Sequence, residues 1–202
     1  HAALYEKVKD STFLLAKLYE GGQLYLSIPG YAPEGIVSVQ DLTKPEFSAK
    51  IEKKIVGIDP SSGLMIGAAR MMDSYALGAA GYTLVPGPAA NWIENFKNGY
   101  AEKRVFVMPL WQPQWLNAAF KIRRLADPLK IYGDGDTAYL IAHTALRAKL
   151  PAVVVERLGK IKLPIDDVTE MDRMVNVDGK SARGAAREWI ASNPEKTADW
   201  FP

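Results

Sequence analysis

The chain has 202 residues, of which 48% are hydrophobic and 24% charged, with a net charge of +2 at pH 7. That length supports one large domain or two small ones with real cores, and the near-balanced charge leaves no footprint for nucleic acid. With no cysteine and only two histidines, one of them His1, disulfide frameworks, thiolate metal sites and multi-histidine metal sites are excluded.

The opening residues His1-Ala2-Ala3-Leu4-Tyr5-Glu6-Lys7 carry no signal-peptide pattern. From about Ala2 to Lys9 they read as a helical turn or two, with Leu4, Tyr5 and Val8 on one side. Thr12 to Tyr19 is apolar and suits either strand or helix, and Gly21-Gly22 is expected to break it. Gln23 to Ile28 alternates as a strand and ends at Pro29-Gly30, followed by a stiff loop from Tyr31 to Gly35. Val37 to Leu42 suits a short helix with Ser38 as N-cap. Lys54 to Ile58 reads as a strand, and Asp59-Pro60-Ser61-Ser62-Gly63 as the turn after it.

The next helix places Leu64, Ala68, Met71 and Tyr75 on one face, with Arg70 and Asp73 outside. Its apolar start, Leu64 to Ala69, is too short to span a membrane. Tyr82 to Val85 is a further strand. Trp92, Phe96 and Tyr100 then recur at helical spacing, a stripe that reads as core. This alternation of strand and helix from about residue 23 to 111 predicts a mostly parallel sheet covered by helices.

Arg104 to Val107 reads as a strand running into Met108-Pro109-Leu110-Trp111-Gln112-Pro113-Gln114-Trp115. Two prolines in eight residues fix φ and remove donors, so this stretch is expected to form a stiff irregular corner rather than helix or mid-sheet strand. Such a corner serves either as a buried apolar bend or as an aromatic wall for a ligand. Beyond it, Phe120 to Leu125 and Asp136 to His143 are strand-like. Asp127-Pro128 stops the first of these, and Gly133-Asp134-Gly135-Asp136-Thr137 lacks the later acid of a calcium loop and reads as a glycine-rich turn. His143 reads as a satisfied, partly buried histidine.

Three helices close the chain. Pro151 suits a first helical position, with Val154, Val155 and Leu158 inward. Pro164 opens the second, with Asp166 and Asp167 at its start and Val168, Met171 and Val175 inward. Ala182, Ala186, Trp189 and Ile190 mark the third, and Asn193-Pro194-Glu195 begins a last turn ending at Trp200 and Phe201.

Taken in series, Leu18-Tyr19-Glu20-Gly21-Gly22, Ile28 to Ile36, Asp41-Leu42, Gly57-Ile58-Asp59-Pro60-Ser61-Ser62-Gly63, Trp111-Gln112-Pro113-Gln114-Trp115 and Leu125-Ala126-Asp127-Pro128 resemble the glycine betaine/choline substrate-binding proteins of ABC importers. The order and spacing fit over nearly the whole chain, although no single motif is specific alone. The resemblance implies an α/β, two-lobe periplasmic-binding-protein-like (type II) fold. It places residues 1–28 and 112–202 in lobe one and residues 29–111 in lobe two. It also implies no enzymatic role, no cofactor or metal, an ABC transporter permease as partner, and a periplasmic or extracytoplasmic location. A ligand-sensing domain of the same fold, docked or fused to a permease or receptor, is the alternative. An enzyme built on Asp59 and Asp166 is disfavoured, because both acids sit at a turn or helix start with a ready structural role.

A quaternary ammonium group has no N–H to donate, so aromatic faces must recognise it. By resemblance Trp111 and Tyr31 belong to the aromatic cage, and Trp115 either joins it or packs behind Trp111. The carboxylate of a betaine needs donors. Ser61, Ser62 and Gly63 stand at a strand-to-helix turn that favours an anion, though either serine can instead cap its helix. Gln114 replaces a histidine frequent in the family, and its amide donates but cannot become cationic. The family pattern also has a segment before the equivalent of His1. Lobe one is therefore expected to lack its N-terminal part and to be completed by such a segment or by a second copy.

Overall fold

A computed structural model describes residues 5–200. They fall into two compact units. Unit one comprises residues up to Gly22, Gln112–Ala119 and Asp136 onward, and unit two comprises Gln23–Trp111 and Phe120–Gly135. The expected first helix lies partly outside the described residues, as do Leu4 and Phe201. Within them a 3-10 turn, Lys9–Ser11, leads into the first strand.

The strand β1 (Thr12–Pro29) is 18 residues long and does not break at Gly21-Gly22. Gly21 takes φ +83°, and the pairing register shifts between Tyr19 and Gly22, so the glycines absorb an irregularity inside one continuous strand. Gly22 has no room for a side chain without strain, because a Cβ there would stand 3.2 Å from the Asp136 carbonyl. From Tyr25 to Pro29 every residue is buried, so the alternation of Gln23 to Ile28 does not mark a half-exposed strand.

In unit two, β1 pairs antiparallel with β5 (Ile122–Arg124), Ser27 opposite Arg124 and Pro29 opposite Ile122. The strands β2 (Lys54–Val56) and β3 (Thr83–Val85) form a separate parallel pair. In place of the expected mostly parallel sheet, β2 and β3 form a two-stranded parallel sheet, and β1 pairs antiparallel with β5 in a separate sheet. Strand–helix alternation is blind to β1, which reaches β5 across a long sequence separation. The core gathers Leu26, Ile28, Ile36, Leu42, Ile55 and Met71, together with Tyr82 and Val107.

Two helices carry unit two's apolar faces: α1 (Gly63–Ser74), burying Leu64, Met65, Ala68 and Met71, and α2 (Ala89–Ala101), burying Trp92 and Phe96. Tyr75, at the end of α1, is buried as the spacing predicts. Ser38 caps the 3-10 turn Val39–Thr43 in a reciprocal capping box with Asp41.

Residues 120–135 belong with unit two, as do residues 23–28, whereas the resemblance put both segments in lobe one. The β1–β5 pairing holds Ile122–Arg124 there. A strap also crosses α1: the Tyr75 hydroxyl donates to Asp127 Oδ1 at 2.5 Å, the Tyr132 N–H donates to Asp127 Oδ2 at 3.3 Å, and the Tyr132 hydroxyl donates to the Leu64 carbonyl at 2.7 Å. Burial pushes the Tyr132 phenol well above its ordinary range.

In unit one, β6 (Asp136–His143) pairs antiparallel with the first half of β1, Thr12 opposite His143. The longer helices are α3 (Ala152–Gly159), α4 (Ile165–Asn176) and α5 (Ala182–Ser192). Pro151 occupies the N-cap of α3, one residue before the expected first helical position, and Pro164 occupies the N-cap of α4. Packing of α4 on α5 buries Met174, Ala185 and Trp189. Val168, Met171 and Val175 are only half-buried, and α3 buries no residue: Val154 is 37% exposed. His143 is exposed rather than partly buried, and its Nδ1 accepts from the Ala145 N–H at 3.0 Å.

Candidate functional site

The strand entering the tryptophan corner begins later than its composition suggests. Arg104 to Val107 is irregular, and β4 (Met108–Gln112) carries Pro109 inside it. The strand order β4-β1-β5 puts β4 at the end, the kind of position to which proline within sheets is confined. Ser27 Oγ, fully buried on β1, donates to the Met108 carbonyl at 3.1 Å. The irregular corner expected over all eight residues is therefore confined to the residues after Gln112, where the Gln112–Pro113 peptide is cis.

Trp111 is half-buried on β4 and stacks on Trp92 of α2, centroids 5.1 Å apart and planes 18° off parallel. Trp92 is 1% exposed, and its indole N–H donates to the Pro109 carbonyl at 3.2 Å. One face of Trp111 thus rests on a fixed ring.

Tyr31 is also half-buried, but it rests at the other end of α2. Its ring meets Tyr100 edge to face, 5.2 Å apart at 65°, and its hydroxyl lies 2.8 Å from the Arg104 carbonyl and 3.1 Å from that of Gly99. Burial pushes its phenol up to about 12. Trp92 and Tyr100 stand eight residues apart on one helix, roughly 12 Å along its axis. Phe96 lies between them on the same stripe, 5.5 Å from Tyr100. The structure seats Tyr31 and Trp111 on different turns of one aromatic stripe.

Ser61, Ser62 and Gly63 come together at the start of α1, as their spacing requires. The hydroxyls are engaged locally. Ser61 Oγ donates to Asp59 Oδ1 at 2.6 Å, which with the Ser61 N–H holds that carboxyl below its ordinary range. Ser62 Oγ caps the helix, accepting from the Met65 N–H at 3.2 Å. What remains for an anion is the backbone: Gly63 and Leu64 are the first two helical residues, whose N–H groups have no intrahelical acceptor. Gly63 is exposed, and no neighbour would meet a side chain there.

Gln114 and Trp115 lie in unit one, 3% and 4% exposed. Gln114 Oε1 accepts from the Leu116 N–H at 2.7 Å, and the Trp115 N–H donates to Asp172 Oδ2 at 2.8 Å. Both side chains are built into the unit. Trp92, read from its spacing as core, is core and also the platform for Trp111. The helical period reveals its burial but not which distant ring it meets.

The α/β chain in two units, traversed by one long strand, has the two-lobe, type II fold of periplasmic substrate-binding proteins. The OpuAC family, the substrate binding domain of the ABC-type glycine betaine transport system, matches residues 1–192, and the chain belongs to that family. It is 27% identical over 187 residues to the glycine betaine/carnitine transport binding protein GbuC of Listeria monocytogenes, a match covering 93% of this chain and 62% of that protein. The chain thus spans under two thirds of that relative's length.

Among solved structures, lactococcal OpuAC complexed with glycine betaine superposes with a TM-score of 0.81 at 24% identity, covering all of this chain and 76% of that one. The glycine betaine/L-proline-binding protein ProX of Borrelia burgdorferi gives 0.79 at 23%, covering all of this chain and 74% of that one. An ABC-transporter choline binding protein in complex with choline gives 0.75 at 20%, covering 98% and 68%. Among the described residues no helix is long and apolar enough to cross a membrane.

Proposed function

We propose that the protein is the substrate-binding component of an ABC importer for glycine betaine, choline or a related quaternary ammonium compound. In this reading it works outside the cytoplasm, delivers its ligand to a permease and catalyses no reaction. Trp111 carries the reading: a half-buried indole, backed by Trp92, in a chain of the OpuAC family. The ring supplies the π face that a methylated cation needs. The N–H groups at the start of α1, around Ser61, Ser62 and Gly63, supply donors for a betaine carboxylate. Gln114 and Trp115 are assigned to holding the corner, because both are buried and bonded within unit one.

The first half of β1 and β6 offers a further contact surface. Leu14 and Ile141, opposite each other across the pair, are 49% and 43% exposed, and Tyr139 beside them is 43% exposed. A covering strand from a second copy, or from protein outside residues 1–202, fits that apolar ribbon.

Calorimetry with glycine betaine, choline, carnitine and proline tests the ligand class. Saturable binding of a methylated ammonium compound is expected. Preference for an unmethylated amine would overturn the reading.

A further inference from the structure

Packing of α4 on α5 in unit one leaves a groove of about 290 Å³ that the transport reading does not use. Met174 and Trp189 give it two apolar residues, 7% and 6% exposed. The Trp189 ring is held in place. It stacks on Trp200, centroids 6.0 Å apart and planes 24° off parallel, and the Lys196 Nζ stands 5.7 Å from its centroid. Its indole N–H is buried and has no acceptor among the described residues. A buried donor left without a bond is costly, so this group calls for an acceptor from outside.

Charge is the second feature. Asp167, Glu170, Asp178 and Glu188 line the groove with only Arg173 and Lys180 as cations. Arg173 is divided between two acids. Its Nε and Nη2 donate to Glu170 at 2.9 and 2.8 Å, and its Nη1 and Nη2 donate to Asp178 at 2.8 and 2.9 Å. Those bonds hold both carboxyls below their ordinary range, so each stays ionised at neutral pH. Lys180 pairs with Glu188, and Lys196 pairs with Asp167 at 2.7 Å. Four carboxylates thus face three cations, and the groove keeps a negative charge beside its unused donor.

The two features together narrow the ligand. A free anion would answer the N–H but meet the carboxylates. A bare cation would answer the carboxylates and leave the N–H unmet. A basic residue within a peptide carries both a positive side chain and a backbone carbonyl.

We propose that the α4–α5 groove docks a basic peptide segment: a lysine or arginine side chain meets the carboxylates while a backbone carbonyl accepts from the Trp189 N–H. An added cation relieves the surplus charge around Arg173, and the carbonyl completes the indole in a site partly shielded from water. The groove stands on unit one alone and does not depend on the transport reading.

The probe is N-acetyl-L-arginine amide, which carries both groups. N-acetyl-L-alanine amide carries the carbonyls alone, and methylguanidinium chloride the cation alone. Binding is followed by proton–nitrogen correlation NMR on the whole chain, at the Trp189 indole N–H and the backbone amides of α4 and α5. The arginine amide should move the Trp189 N–H saturably and bind about tenfold more tightly than either control. Trp189→Phe keeps a ring against Trp200 and removes the donor. Glu170→Gln keeps the shape and removes one charge from an exposed side chain, so it serves should the first variant perturb the fold. Each should weaken the arginine amide about five- to tenfold, read on the backbone amides. A Trp189 N–H that stays unmoved at saturation, an equal response to the alanine amide, or unchanged affinity in either folded variant would overturn the proposal.

Discussion

Replacing Trp111 by alanine separates the ligand wall from the structural corner. The ring is half-buried, so its removal touches stability as well as binding. The fold loses the stack on Trp92, at 5.1 Å and 18°, a kind of pair worth about 0.5–1.5 kcal/mol, plus the burial of part of one ring. The bond from the Trp92 indole to the Pro109 carbonyl has a backbone acceptor and survives the change. A stability loss of roughly 1–2 kcal/mol is expected, small beside the ~5–15 kcal/mol of a typical domain, so the variant should fold. Binding loses a π face desolvated by its ligand, at roughly 2 kcal/mol or about 30-fold in Kd. Calorimetry with glycine betaine and choline measures the second quantity and urea unfolding the first. Trp111→Phe should recover part of the affinity, because a smaller ring still presents a face. Wild-type affinity in a folded Trp111→Ala protein would refute the assignment, and loss of folding would show Trp111 to be a structural corner.

Unit two supplies two further tests. A methyl group added at Gly67 would collide with the ring of Tyr132. Gly67→Ala should therefore cost about 1–3 kcal/mol by overpacking, read as a lower urea midpoint at unchanged m-value; wild-type stability would show that the strap of residues 127–132 yields freely. The second concerns pH. Burial raises the Asp41 carboxyl, but the Lys44 ammonium at 2.7 Å and the N–H groups of Val37 and Ser38, each at 2.9 Å, outweigh it and leave the group below its ordinary range. A depressed folded pKa gives stability that is present above the unfolded value of about 3.9 and is lost as pH falls through the folded value. Urea unfolding between about pH 5 and pH 2 should fall more steeply for wild type than for Asp41→Asn. Parallel curves would remove Asp41 from the acid response.

Helix faces were the most legible part of the sequence. The stripes Leu64-Ala68-Met71 and Trp92-Phe96 are both buried, because burial of a helix face is written in a local period. The misreadings share a different cause. Gly21-Gly22 looks like a break because glycine weakens any strand, yet partners on both halves of β1 hold it extended through the pair. Pro109 looks incompatible with a strand, yet β4 lies at the end of the order β4-β1-β5, where proline is tolerated. Val154 looks inward by spacing and is exposed, because α3 has too little to pack against among the described residues. For Gly21-Gly22 and Pro109 the deciding partner lies far away along the chain.

The same limit governs the aromatic residues, with a chemical consequence. The spacing of Trp92, Phe96 and Tyr100 shows a stripe but cannot say that its first turn meets Trp111 and its last meets Tyr31. By resemblance Tyr31 and Trp111 enter one cage. Their partners on α2, Tyr100 and Trp92, stand roughly 12 Å apart along the helix axis. A ring contributes to recognition through the face it turns toward the charge, so the residue type alone assigns no ligand to it. Trp111 has an indole behind it, whereas Tyr31 has an ammonium of the same chain over it. Two aromatic residues of equal standing in the sequence are thus set apart by neighbours that the sequence does not reveal.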